Sequence, residues 1–394
     1  MSETTTRIPV ARPWLDERDA AAARRAILSG WVTQGPEVAA FEREFAAAVD
    51  APFACAVSSC TTALHLALVA LGVGREDEVV TVSHSFIATA NAIRYCGAIP
   101  VFVDVISDTF NIDPALVENA ISSKTKAILV VHQLGMPCEL APILAIARRR
   151  GLPVVEDAAC AIGSELLWDG RWERIGRPHA DVACFSFHPR KLLSTGDGGM
   201  LTTRSRDLDA AFRLLRQHGM SVPDTVRHAS TGVVFEEYSV LGFNYRMTDI
   251  QAAVGREQLS RLPAIVERRR QLAARYHELL DGIPNVHRAS EPSWARTNWQ
   301  SYTVRLDAPL SQRDVMQRML DEGVSTRRGV MNVHREPAYP AGSWRAAGPL
   351  TRGEQAQDTV IVLPLYHQMT DDDQQRVVSA LRRAVAPALR AVER

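Results

Sequence analysis

The chain has 394 residues, 46% of them hydrophobic, and its 45 acidic side chains balance its 45 basic ones. A neutral chain without a basic run lacks the positive footprint that a nucleic-acid partner requires, and no stretch approaches the roughly 20 apolar residues that span a bilayer. The first seven residues, Met1 to Arg7, lack a signal peptide's apolar core, so the sequence predicts a cytoplasmic protein with neither membrane nor nucleic-acid partners.

This length exceeds one ordinary core and predicts two domains. The first reads as strands alternating with helices. An apolar strand ends at Val57 and passes through Ser58 and Ser59 into a helical pattern that runs from Thr61 to Gly72. The first-turn amides of Cys60, Thr61 and Thr62 lack intrahelical partners there, and such a helix start binds phosphate. A plain serine N-cap is the alternative. Glu78–Val82, Val101–Asp104, Ala127–His132 and Pro153–Asp157 are continuous apolar runs, as expected of strands buried on both faces. Helical patterns over Ile87–Tyr95, Pro114–Ile121 and Leu140–Arg150 lie between them. The alternation predicts a mostly parallel sheet sandwiched by helices, with ligands at the carboxyl ends of its strands. Asp157 closes its strand at that edge. A carboxylate there can pair with a protonated ring nitrogen, or cap the next turn.

The run Cys184 to Gly199 follows and contains Lys191, one of only three lysines; the others, Lys124 and Lys126, sit in a polar connection. Lysine holds aldehyde cofactors as Schiff bases and becomes nucleophilic when burial or a nearby cation lowers its pKa. A lowered pKa is therefore expected at Lys191. Ser186 and Lys191 can both face the cleft only if the chain turns at His188-Pro189. An arginine-rich helical stretch from Thr248 to Leu280 leads to a smaller unit with a strand at Ser301–Leu306, a helix over Gln312–Glu322 and a terminal helix over Asp371–Val392. The domains are expected to be 1–255, including an N-terminal arm, and 256–394. The six cysteines, Cys55, Cys60, Cys96, Cys138, Cys160 and Cys184, form no C-x-x-C pair or Cys/His cluster, so no metal site is expected.

Five segments in order resemble the DegT/StrS sugar aminotransferases, fold-type I enzymes that use pyridoxal 5'-phosphate. They are Gly30 to Glu42, the turn from Ser58 to Leu64, Phe187 to Gly199, Gly242 to Gly255, and Leu363-Pro-Leu-Tyr366. The resemblance implies that Lys191 carries the cofactor as a Schiff base, that Asp157 pairs with its pyridine nitrogen, and that Phe86 stacks on its ring. Ser186 and the amides of the Cys60, Thr61 and Thr62 turn would hold the phosphate. Asn244 would reach the phosphate of the neighbouring subunit, in a homodimer with shared active sites. Outside the resemblance, Phe86 reads as a core aromatic and Asn244 as a turn residue.

The implied reaction is ping-pong transamination from glutamate or glutamine to a keto-sugar, a nucleotide-linked 4-keto-6-deoxy sugar by the pattern around Lys191. Arg190, Arg246, Arg327 and Arg328 could contact a diphosphate, and His334 lies in the segment that helps cover the substrate. The chain departs from the family where Cys160 replaces the usual glutamine or histidine near the cofactor's phenolic oxygen, and where Cys60 replaces a common glycine. The alternatives are an inosose or other natural-product ketone as acceptor, or a non-catalytic cofactor-binding regulator. A dehydratase of the family would carry histidine in place of Lys191.

Overall fold

The computed structural model describes residues 7–222, 227 and 230–392. The polar start read at residues 1–6 lies outside them. The first unit contains strands β1 (Phe53–Val57), β2 (Glu78–Val82), β3 (Ile99–Val103), β4 (Thr125–Val131) and β5 (Val154–Asp157), then the hairpin β6 (Glu165–Trp168) and β7 (Arg171–Arg174), then β8 (Val182–Ser186) and β9 (Gly199–Thr203). An eight-stranded sheet has the order β1-β9-β8-β5-β4-β2-β3, with residues Arg345–Ala346 added beside β3. Strands β3, β2, β4, β5 and β8 are parallel, while β9 runs against both β8 and β1. Hence the carboxyl ends of β1, β2, β5 and β8 lie on one edge, where β9 begins.

Helices α1 (Glu17–Ser29), α2 (Pro36–Ala48), α3 (Cys60–Ala70), α4 (Ala88–Tyr95), α5 (Pro114–Ala120), α6 (Leu140–Arg150) and α7 (Arg206–Leu215) accompany this sheet. The expected single helix from Thr248 to Leu280 is two, α8 (Asp249–Ser260) and α9 (Leu262–Leu279), meeting at Arg261. Pro263 explains the break: its missing N–H is tolerated in the first turn of a new helix but not inside a continuous one.

Two family segments distant in sequence meet at α8. Asp249 accepts the amides of Gly35 (2.7 Å), Glu37 (3.1 Å) and Val38 (3.0 Å), capping the start of α2. A Cβ on Gly35 would stand 2.7 Å from the Asp249 carboxylate and 2.8 Å from the Trp31 ring, so only glycine fits.

As the sheet's edge strand, β1 would otherwise leave backbone groups open. Instead Glu42 accepts the Ala56 amide at 2.9 Å, Arg213 donates to the Ala54 carbonyl at 2.8 Å, and Arg216 donates to the Ala56 carbonyl at 2.7 Å. Burial pushes the Glu42 carboxyl up, but Arg216 and Arg213 outweigh it and hold the group below its ordinary range.

The second unit contains β10 (Val286–Arg288), β11 (Ala295–Arg296), β12 (Tyr302–Leu306), α10 (Gln312–Asp321), β13 (Arg327–Arg328), β14 (Arg345–Ala346), α11 (Thr351–Thr359), β15 (Val360–Leu363) and α12 (Asp371–Val392). Its sheet, β10-β12-β15-β13, is antiparallel. Ile8 pairs with Val324 and joins this second core. In return β14 pairs with β3 of the large sheet. Helix α9 serves both cores, giving Leu262, Ile265 and Val266 to the first and Leu272, Ala273 and Tyr276 to the second. Among the described residues no helix is long and apolar enough to cross a membrane.

Candidate active site

The cleft edge of the large sheet brings together Asp157 from β5, Ser186 from β8, the β1–α3 turn and the segment after β2. Asp157 is buried, with both carboxylate oxygens used: Oδ2 accepts the Thr89 hydroxyl at 2.7 Å, and Oδ1 accepts the Ala159 amide at 3.1 Å. The Thr89 hydroxyl also lies 2.7 Å from that of Ser85. Thr89 went unread in the sequence. Its signal is a Ser85/Thr89 hydroxyl pair, i to i+4, spanning the start of α4.

Beyond Ser186 the chain turns where the proline suggested. The Lys191 amide donates to the His188 carbonyl at 2.8 Å, and the Arg190 amide donates to His188 Nδ1 at 3.2 Å. Lys191 Nζ then lies 3.0 Å from Cys160 Sγ. Burial works to lower this amine, but Cys160 and Asp157 outweigh it, so it stands above its ordinary value. The expected lowering is thus corrected. The groups facing the amine are a thiol and a carboxylate, not a second cation. Two buried side chains hold these turns from the second unit: Asn298 donates to the Cys160 and Ile162 carbonyls, each at 2.8 Å, and Gln300 donates to the Arg190 carbonyl.

In the β1–α3 turn Ser59 caps α3, accepting the Thr62 amide at 3.1 Å, while the Thr62 hydroxyl donates to the Ser59 carbonyl at 2.7 Å. The expectation of a free Thr62 amide is therefore corrected. No acceptor among the described residues takes the amides of Cys60 or Thr61, which remain open at the helix start. The Cys60 side chain points away, its sulfur 3.6 Å from the Cys184 carbonyl, and burial pushes its thiol well above the ordinary range. Gly199 packs against this turn so closely that a Cβ would fall 2.5 Å from the Ser59 carbonyl.

Phe86 is 62% exposed beyond the end of β2, which removes the core-aromatic alternative. Asn244 is exposed, next to Tyr245, whose carbonyl accepts the Ser58 amide at 2.8 Å. Arg190 is exposed on the Lys191 turn and Arg246 is half-buried near Asn244. Arg327 and Arg328 lie on β13, at the edge of the second sheet, with Arg328 3.3 Å from Glu336. His334 has both ring nitrogens engaged, Nδ1 with Ser83 at 2.7 Å and Nε2 with Glu354 at 3.0 Å. It braces the segment leading to Phe86, and neither nitrogen is left for a substrate. Among the described residues no three His, Cys, Asp or Glu side chains form a metal cluster.

The family model of the DegT/DnrJ/EryC1/StrS aminotransferases matches residues 13–382. The chain is 36% identical to the spore coat polysaccharide biosynthesis protein SpsC of Bacillus subtilis, over 97% of this chain and 98% of that one. Among solved structures it is similar to the aminotransferase TlmJ from Streptoalloteichus hindustanus, with TM-score 0.87 and 36% identity over 96% of this chain and 99% of the other. It is also similar to DesV of S. venezuelae, solved with a ketimine intermediate, with TM-score 0.86 and 34% identity over 96% and 98% of the two chains.

Proposed function

The chain belongs to the DegT/DnrJ/EryC1/StrS aminotransferase family, and from that premise we propose that it aminates a nucleotide-linked 4-keto-6-deoxy sugar. Glutamate or glutamine is the donor, pyridoxal 5'-phosphate the cofactor, and the order is ping-pong. The observation that carries this reading is the meeting of Lys191, Asp157 and two unpartnered helix-start amides on one sheet edge. An aldehyde, a protonatable ring and a phosphate are what these three groups can hold. The residues therefore fit the cofactor.

When bound, that cofactor supplies an electron-poor ring that accepts the electron pair released at the donor's alpha carbon. Lys191 Nζ anchors it covalently and, once displaced by the donor amine, moves the alpha proton as a general base and acid. Asp157 holds the ring nitrogen protonated, and Thr89 and the Ala159 amide fix the carboxylate's orientation. The exposed Phe86 covers the ring face, while Ser186 and the Cys60 and Thr61 amides take the phosphate, as helix N-termini do. The relatives named for polysaccharide biosynthesis and for aminotransferase activity support a sugar acceptor.

With only three lysines, the anchor can be tested almost exhaustively. Borohydride reduction of the yellow holoprotein is expected to fix the cofactor on Lys191 and on neither Lys124 nor Lys126. Incubation with glutamate and nucleotide-linked 4-keto-6-deoxy sugars should give an aminated sugar by mass spectrometry. A cofactor found on Lys124 or Lys126 sinks the site assignment, and turnover confined to unlinked ketones sinks the acceptor class.

A further inference from the structure

We propose that Cys160 and Lys191 form a reversible covalent cross-link, an S–N bond between Sγ and Nζ, when the protein meets hydrogen peroxide with the Lys191 amine free. The two atoms already stand 3.0 Å apart. Their turns are held from one buried segment: Asn298 fixes the Cys160 turn through two carbonyls, Gln300 fixes the Lys191 turn through the Arg190 carbonyl, and the Gln300 amide donates to Asn298 Oδ1 at 2.8 Å. Asn298 is fully buried, so the contact is built into the fold and is no accident of two free side chains. Cys160 is half-buried, whereas Cys55, Cys60, Cys138 and Cys184 are buried; Cys96, also half-buried, caps the end of α4 with its sulfur 3.4 Å from the Ala92 carbonyl and no amine among the described residues beside it. A small oxidant entering the cleft meets Cys160.

The chemistry balances in two steps. The Cys160 thiolate attacks one peroxide oxygen, the O–O bond breaks and hydroxide leaves; sulfur is oxidised by two electrons to a sulfenic acid and peroxide is reduced to water. The released hydroxide takes a proton from the Lys191 ammonium and becomes water, and the freed amine then attacks that sulfur. The S–N bond forms, the S–O bond breaks, and the oxygen leaves as water with a proton from the amine. The protein has lost two hydrogens overall. A dithiol reverses this by reducing the S–N bond, returning thiol and amine and leaving as its own disulfide. A linked Lys191 cannot receive an aldehyde, and this consequence rests on the role proposed for Lys191 above. The bond itself rests on the contact alone.

The test uses the whole purified protein, both with cofactor bound and after hydroxylamine treatment and dialysis, exposed to hydrogen peroxide. Trypsin should yield peptide 151–171, bearing Cys160, joined to peptide 191–204 and lighter by two hydrogens, with no cleavage after Lys191. Dithiothreitol should separate them. Cys160→Ser and, as a second variant, Cys160→Ala should abolish the link, while Cys60→Ser should keep it. Protection of the cofactor-loaded protein is expected, because its Nζ is already bonded. A link formed equally in loaded and stripped protein supports the cross-link but removes Lys191 as the cofactor anchor. Peroxide converting Cys160 to a sulfinic acid, or to a disulfide with another cysteine, without joining the two peptides overturns the proposal.

Discussion

Asp157 works through neighbours that lie far from it in sequence. Thr89, 68 positions away, gives its carboxylate a hydroxyl at 2.7 Å, and a hydrogen bond to a charged group contributes about 1.5–3 kcal/mol. Thr89→Val is therefore expected to slow the half-reaction with donor by about ten- to hundredfold, at about 1.4 kcal/mol per decade, with the fold intact. Asp157→Asn, which removes the charge itself, should slow it by several orders of magnitude. Stopped-flow absorbance of the donor half-reaction checks both, and a Thr89→Val rate equal to wild type would remove its positioning role. The placement of Lys191 and Asp157 at the sheet's carboxyl edge was legible in the sequence because a strand end and a glycine-rich turn fix where a side chain goes. Thr89, Asn298 and Gln300 were not, because their work is defined by which backbone they touch across the fold. Cys160 was read as a departure beside the phenolic oxygen. Its contact with Lys191 depends on a turn conformation that Asn298 imposes from 138 positions away.

At the scale of elements, the parallel strands and the helices from α3 to α6 were legible to within two residues at most ends, because their apolar runs and periods differ. The break at Arg261 was missed although Pro263 signals it, since the periodic pattern runs on through the proline. The capping of β1, where charge meets backbone, was not legible. Glu42 is held by Arg213 at 2.7 Å and by Arg216, all against the edge strand that leads into the phosphate turn. Removing one partner of a buried ion pair costs about 3–5 kcal/mol, so Glu42→Gln should lower the urea midpoint at neutral pH by a corresponding amount. The carboxyl's folded pKa is depressed, so its contribution is fully present above the unfolded value of about 4.3 and is lost as pH falls through the lower folded value. Wild type and Glu42→Gln should therefore converge in stability as pH drops below about 4.3. Parallel urea titrations at neutral and acid pH check this, and a gap that stays constant with pH rejects the ion pair as its source.

At the scale of the molecule, a single chain leaves a run of large apolar side chains exposed. Val233, Phe235, Tyr238 and Leu241 are each at least 60% exposed, in the segment that leads directly to Asn244. Exposed apolar residues concentrated in one segment are what a second chain can cover, and this supports the homodimer implied by the family pattern. If Asn244 completes the partner's site, each site draws Lys191 from one chain and Asn244 from the other. Lys191→Ala and Asn244→Asp homodimers should then each lose activity. A mixed dimer carries one site with both defects and one with neither, so subunit exchange between the two inactive proteins is expected to recover roughly half the wild-type rate per hybrid dimer. Differently tagged chains purified together allow hybrid formation to be verified before assay. Verified hybrids that stay inactive would place Asn244 and Lys191 in the same chain's site, and the exposed run from Val233 to Leu241 would need a different occupant.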